Sequence, residues 1–364
     1  MKTLKENIQD LQKKPDLLNS LYKAGKISPR YNQHLGLVLQ YFKDVINILE
    51  SIFNEECVPL SEDEFKKINN RYIKPLLAIY SLLIDKIEKE MLEDDKALES
   101  IAMDFFRMSA LPGIDTMVLI EKGGTKLKAR VAPISINLKD SYSNHLRNAP
   151  IIVVNEKFAE NIVNWILILH ETSHLVSNFG DCLKTNNPKQ KYECELFSDI
   201  YSTHISGYAY VNSLIQYAMS SSDNPYIITQ KHPTMAFRVK VTLDHLKREF
   251  TTAIGGDIIN KIELNWISWL ETSGYRETMP IYDELRAEPN ALKILDGITK
   301  DRDISKYEEL LVRIKMIENN LHIKLTPIEL LNYIYLSDDL GKKAIEKGEI
   351  KNLIIKWSKD RYGR

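Results

Sequence analysis

The sequence His170-Glu171-Thr172-Ser173-His174 has the residue types and the spacing of a metal site on a helix. Residues four apart lie one above the other on a helical face, so both imidazoles can reach one cation. Glu171 is offset by one residue and can lie beside the cation, where its carboxylate can accept a proton from water. In the alternative interpretation the spacing is a coincidence, and hydrogen bonds or solvent satisfy the two histidines.

The residues before this motif favour a bound ion. They are apolar on nearly all sides of the predicted helix: Ile162, Val163, Trp165, Ile166, Ile168 and Leu169. Such a pattern predicts a buried helix, and the burial of polar groups without a partner is costly. An ion between the two imidazoles would be such a partner.

A catalytic zinc site has three protein ligands and leaves a fourth position open, so a third ligand is needed. The segment from Tyr192 to Ile200 and the residues after it offer one, because polar side chains recur there at helical spacing: Glu195, Ser198, Asp199, Ser202 and Ser206. This stripe could simply face water. It could also face the histidine helix and present Glu195 to the metal. Asp199, one turn later, could then hydrogen-bond the outer nitrogen of a ligating histidine.

These two segments together resemble the glutamate zincins, the metallopeptidase group whose type member is thermolysin. Glu195 follows His174 by 21 residues, and Asp199 follows Glu195 by four, as in the ligand helix of that group. The resemblance implies one bound Zn²⁺ held by His170, His174 and Glu195, with Asp199 orienting His170. Glu193 is the rival third ligand, but no aspartate follows it by four residues.

A third segment, His232-Pro233 with Arg238 six residues after the histidine, is similar to a motif of the HtpX and CAAX-prenyl protease family. That similarity implies that His232 stabilises the oxyanion of a tetrahedral intermediate and that Arg238 supports the site. Pro233 also has a plain structural interpretation as the start of a helix. The resemblance covers roughly residues 150 to 240, and it departs from this family in that no membrane span is predicted.

The chemistry implied is peptide-bond hydrolysis, in which zinc lowers the pKa of its water to about 7 and Glu171 acts as general base. His232, or failing it a tyrosine such as Tyr208 or Tyr210, would hold the oxyanion. A peptide or protein substrate would lie extended along the edge of the strand formed by Ile151, Ile152, Val153 and Val154. A strand buried on both faces is the alternative interpretation of those four residues.

Two other functions are compatible with the same residues. One is a catalytically silent zinc-binding regulatory or scaffold protein. The other is a protease of narrow specificity that cleaves one regulatory partner, with the helical flanks as a protein-binding region. Loss of zinc-dependent hydrolysis in Glu171→Gln would separate an enzyme from a silent metal protein.

The elements around the motifs predict a mainly α fold of the α+β kind. Residues 1–112 form a helical N-terminal region, 113–250 a zincin-like core with a small sheet and the HExxH helix, and 251–364 a helical C-terminal region. Strands are predicted at 116–121 and 126–138, joined as a hairpin through Gly123-Gly124, and at 151–154. Helices are predicted at about 159–179, 191–219 and 234–250.

Bulk composition excludes some classes of protein. The chain has 49 basic and 50 acidic side chains, so its net charge of −1 gives no reason to expect nucleic acid as a partner. Three cysteines, an odd number without metal-type spacing, are interpreted as reduced thiols. The N-terminus lacks the apolar core of a signal peptide, and no apolar stretch is long enough to span a membrane. The expected location is cytoplasmic.

Overall fold

The chain is mainly α-helical with one small sheet, as the sequence predicts. A computed structural model describes residues 4–27, 31–55, 61–88, 93–109, 116–122, 129–131, 150–176, 187–221, 223–229, 232–275, 282–300, 312–313, 325–336 and 347–362. They fall into two compact units. The first unit comprises Met1–Leu92, Asp115–Glu121 and Arg130–Val154, and the second comprises Glu93–Ile114, Lys122–Ala129 and Asn155–Arg364.

The first unit is a set of helices with an apolar core. In chain order they are α1 (Leu4–Lys23), α2 (Asn32–Glu55), α3 (Glu62–Ile68), a π-helical turn (Asn69–Ile73) and α4 (Lys74–Glu88). Apolar residues recur along α2 at spacings of three and four, and these side chains are buried: Leu35, Val38, Phe42, Val45 and Leu49. This face of α2 packs with α1 and α4 into one apolar core, because each helix buries its apolar stripe against its neighbours.

The sheet contains β1 (Met117–Glu121), β2 (Ala129–Val131) and β3 (Ile151–Asn155), in the order β1-β3-β2. The predicted hairpin is therefore wrong, because β3 lies between the two strands that it would pair; its turn at Gly123-Gly124 is outside the described residues. The prediction that Ile151, Ile152, Val153 and Val154 offer an edge to substrate is also wrong. The strand is central, with a hydrogen-bonded neighbour on each side, and all five of its residues are buried.

The second unit contains the motif residues. Its helices are α5 (Glu93–Met108), α6 (Glu156–Glu160), α7 (Ile162–Trp165), α8 (Ile168–Val176), α9 (Pro188–Ser206), α10 (Tyr208–Ser220), α11 (Met235–Ile254), α12 (Gly256–Thr272), α13 (Tyr282–Lys300), α14 (Pro327–Leu336) and α15 (Lys347–Tyr362). The helix α9 packs against α8, α11 and α13, and α5 packs against α8, α14 and α15. The two helices that carry the predicted ligands, α8 and α9, therefore lie side by side.

The three-part division of the sequence is not reproduced by these units. The helix α5, which precedes the sheet, and the helices after residue 250 belong to the same unit as α8 and α9. Two predicted helices are also divided. The described part of the segment 159–179 falls in α6, α7 and α8. The segment 191–219 is interrupted at Gly207, whose φ of 56° favours glycine.

Two further findings concern the environment that the sequence suggested. In the part of the chain that the structure describes, no helix has the length and apolarity needed to cross a membrane. Cys194 forms a disulfide, so the interpretation of all three cysteines as reduced thiols is wrong. The other two cysteines, Cys57 and Cys182, lie outside the described residues.

Candidate metal centre

The helix α8 carries His170 and His174 in its first two turns, after the short helices α6 and α7. The side chain of Asn161 accepts a hydrogen bond from the N–H of Val163 and so begins α7. Burial of Trp165 and Ile168 fixes the segment against its surroundings. Both histidines are also buried, as the apolar residues before them predict.

The partner helix α9 begins with Asn187 as its N-cap and Pro188 at its first position, both favoured at helix starts. Glu195 lies two turns into this helix and is buried against α8. The hydroxyls of Ser173 on α8 and Ser202 on α9 lie 2.9 Å apart. Because these side chains are small, the two helices approach closely enough for their polar groups to meet.

Three potential ligand side chains converge between the two helices. Nε2 of His170 lies 3.2 Å from Nε2 of His174 and 3.1 Å from Oε2 of Glu195. Nε2 of His174 lies 3.7 Å from Oε1 of Glu195. Two ligands bound to zinc at about 2.0–2.1 Å in tetrahedral geometry are about 3.3 Å apart. The separations of the three side chains therefore fit one metal ion.

The other ring nitrogens of both histidines have partners on α9. Nδ1 of His170 is 2.8 Å from Oδ1 of Asp199, and Nδ1 of His174 is 2.9 Å from Oγ of Ser198. A carboxylate only accepts hydrogen bonds, so Nδ1 of His170 is the donor. With the proton at Nδ1, Nε2 of a neutral ring presents its lone pair, which is the state that a metal ligand requires.

Asp199 is the centre of a buried network. The guanidinium of Arg238 donates to both carboxylate oxygens, from Nε to Oδ2 at 2.6 Å and from Nη2 to Oδ1 at 2.8 Å. The hydroxyl of Tyr210 donates to Oδ1 at 2.7 Å. Gly207 ends α9 and allows α10 to turn back, so that Tyr210 reaches a residue of the preceding helix. The network fixes the orientation of Asp199 and, through it, of His170.

The charges in the network shift the pKa values of its members. Burial alone would lower the pKa of His170, but the carboxylates of Asp199 and Glu195 raise it to about 10. Burial lowers the pKa of His174 to about 4, against the opposing effect of Glu195. Burial would raise the pKa of Glu195, but the hydrogen bond and the charge of His170 lower it to about 2. The carboxylates thus favour a positive charge at Nε2 of His170, where a metal ion would compete with a proton.

A pocket with a cavity volume of about 200 Å³ opens beside His170 and Glu195. The pocket is lined by residues of the site and by apolar and aromatic side chains: Phe158, Leu167, His170, Glu171, Glu195, Tyr210, Leu214, Tyr217, His232 and Arg238. Glu171 is part of this wall, as a general base beside the ion would be. Nε2 of His232 lies 3.7 Å from Oε1 of Glu195, with 49% of its side chain exposed.

The structure thus brings together the residues named from the sequence on α8, α9 and α11 and the loop before α11. Glu193, the rival third ligand, contacts other residues. Its Oε1 accepts a hydrogen bond from Asn290 at 2.7 Å and lies 3.5 Å from Nζ of Lys189. The sequence indicates Ser198 only as part of a polar stripe, and Tyr210 only as an alternative oxyanion group. Their contacts with His174 and Asp199 follow from helix packing and have no local sequence signal.

Among the described residues, His170, His174 and Glu195 are the one group of three or more potential ligands whose ligand atoms come within 4.8 Å of one another. This buried group can hold a metal ion. Comparisons with models of protein families, with curated proteins and with solved structures find no match to this chain. The chemistry of the site must therefore be argued from its own side chains.

Proposed function

We propose that this chain is a zinc-dependent peptidase of the glutamate-zincin type. The observation that carries the proposal is the convergence of two imidazole nitrogens and the carboxylate oxygens of Glu195, separated by 3.1 to 3.7 Å, beside an open pocket. Two nitrogens and one oxygen, with room on the pocket side, are the donor set of a catalytic zinc site. A structural zinc site would instead be closed by a fourth protein ligand.

The residues of the pocket suit hydrolysis of a peptide bond. Zinc bound there would supply Lewis-acid chemistry, polarising a carbonyl and lowering the pKa of a water to about 7. Glu171 would accept the proton of the attacking water and transfer it to the leaving amine. His232 would donate a hydrogen bond to the oxyanion, and its position beside Glu195 supports that role.

The metal is tested by a matched pair of carboxylate variants two residues apart on α9. We expect purified wild-type protein to contain about one zinc ion per chain by elemental analysis. Glu195→Gln should lose most of it, because an amide is a much weaker ligand. Glu193→Gln should retain it, because Glu193 pairs with Asn290 and does not face the histidines. Equal loss in both variants, or a zinc-free wild type, would contradict the proposal.

The reaction is tested with Glu171→Gln. A proteome-derived peptide mixture incubated with wild-type protein should yield new termini that mass spectrometry detects, and the variant should yield them at least about 100-fold more slowly. Its zinc content should equal that of wild type, because Glu171 is not a ligand. If zinc is bound and no peptide is cleaved at a rate that depends on Glu171, the metal site stands and the peptidase proposal fails.

A further inference from the structure

The loop that carries His232 is joined to the ligand helix by a chain of hydrogen bonds. The hydroxyl of Tyr192 on α9 donates to the backbone carbonyl of Thr229 at 2.6 Å. Oγ1 of Thr229 accepts from the N–H of His232 at 2.9 Å and donates to its carbonyl at 3.0 Å. The backbone of His232 is thus bound on both sides by one threonine hydroxyl, and that threonine is held by α9.

Tyr192, which holds the loop of His232, lies on the same helix as the candidate ligand Glu195. Tyr192 and Glu195 are three residues apart, so they lie on the same face of one helix. A single rigid element therefore positions both the third candidate ligand and the loop beside it. The ring of Tyr192 is buried, which leaves its hydroxyl little freedom to move away from Thr229.

The other end of the loop is held from α13. Glu284, which is buried, accepts a hydrogen bond from the N–H of Thr234. Thr234 in turn caps α11 by accepting from the N–H of Phe237. By contrast, about half of the His232 side chain is exposed. Packing therefore does little to hold this imidazole, and its placement depends on the backbone contacts.

We propose that Tyr192 and Thr229 are positioning residues that hold His232 beside Glu195, so that its imidazole can bind an oxyanion at the metal. The inference rests on the proposed function and deepens it, because it names the residues that make His232 effective. Displacement of a group by about 1 Å can reduce catalysis by about 100-fold, so small losses of order in this loop should be measurable.

The test uses the full chain loaded with cobalt(II) and acetohydroxamate as the probe, because this anion binds divalent metals through oxygen. Visible absorption of the cobalt reports binding without any turnover. His232→Ala should weaken acetohydroxamate binding at least about 10-fold, the size of a lost hydrogen bond to a charged group. Tyr192→Phe and Thr229→Val should each weaken it about 3- to 10-fold. Thr229→Ser retains the hydroxyl and should bind like wild type.

The decisive measurement is a double-mutant cycle. If Tyr192 and Thr229 act through His232, then Tyr192→Phe and Thr229→Val should have no further effect in the His232→Ala background. Thr299→Val is the matched control, because among the described residues the hydroxyl of Thr299 bonds within α13, to the carbonyl of Leu295 at 3.0 Å and that of Asp296 at 3.4 Å. It should leave acetohydroxamate affinity unchanged.

Failure of this inference can be told apart from failure of the proposed function. If cobalt binds, but Tyr192→Phe and Thr229→Val leave affinity unchanged or reduce it equally without His232, the positioning role is overturned and the metal site stands. The same holds if His232→Ala binds the probe like wild type. If wild-type protein binds no cobalt, the proposed function is refuted and this inference with it.

Discussion

Replacement of Ser198 by alanine is the sharpest test of the geometry between α8 and α9. Oγ of Ser198 is 2.9 Å from Nδ1 of His174, and both groups are buried. The variant removes this oxygen and leaves the three candidate ligands chemically intact. His174 then loses the contact that fixes its ring plane and its tautomer, and the position of its Nε2 becomes less well defined.

The expected loss can be worked out from typical effects of such outer contacts. Their removal commonly lowers metal affinity 10- to 100-fold, which is about 1.4 to 2.7 kcal/mol. If the proposed site binds zinc, a free zinc concentration 100 times the wild-type Kd should stabilise the folded protein by about 2.7 kcal/mol. For Ser198→Ala at the same zinc concentration, this stabilisation should fall to between about 1.4 and 0.4 kcal/mol.

Ser206→Ala is the control for this experiment. Ser206 is also buried on α9, but its hydroxyl donates to the carbonyl of Ser202 in its own helix, at 2.7 Å. Each variant should lower the free energy of unfolding of the zinc-free protein by about 1 kcal/mol, the value of one hydrogen bond. Only Ser198→Ala should lose zinc affinity. Competition with a chromophoric chelator measures Kd directly, and equal affinities of the two variants would refute the reasoning.

Three further variants test other parts of the second unit. Tyr210→Phe removes a donor to Asp199, so zinc affinity should fall about 10-fold in a chelator titration; an unchanged Kd would show that Arg238 alone suffices. Gly207→Ala places a side chain where φ is 56° and ψ is −124°, so urea unfolding should show a loss of about 1 to 3 kcal/mol. Burial, with smaller effects of His204 and Arg248, lowers the pKa of His245 from 6.5 to about 3. The stability that depends on neutral His245 is fully present above pH 6.5 and is lost as pH falls toward 3. At pH 5 the loss is about 2 kcal/mol. His245→Phe should reduce the difference between unfolding free energies at pH 8 and pH 5 by about that amount, and an unchanged difference would exclude this assignment.

The sequence predicts those parts of the site that depend on local spacing. The interval of four between His170 and His174 fixes their common face on any helix, and the same interval relates Glu195 to Asp199. The apolar residues before His170 predict burial of that helix. These inferences need only the periodicity of a helix. They therefore hold although the helix predicted from about residue 159 is divided and α8 begins at Ile168.

Other features depend on contacts between distant segments and have no such signal. The order β1-β3-β2 is set by which strands pair, and a short apolar run such as Ile151–Val154 fits an edge strand or a central one equally well. Tyr210 reaches Asp199 only because Gly207 reverses the chain. The helix α13 packs on α9 although about 80 residues separate them in the sequence. The predicted boundary at residue 250 therefore divides one unit.

The electrostatics of the site support the proposed metal binding over a purely structural role for its side chains. His170, Asp199 and Arg238 bury opposite charges, and such pairs often contribute less than well-packed apolar residues of the same volume would. The two Nε2 atoms, 3.2 Å apart, add an unfavourable contact if both rings are protonated. Burial is the main reason for the lowered pKa of His174, and the charge of His170 lowers it further. A cation shared by both rings would remove this repulsion. Packing of α8 against α9 does not require two imidazoles at this distance, because hydroxyl contacts such as that between Ser173 and Ser202 already join the two helices.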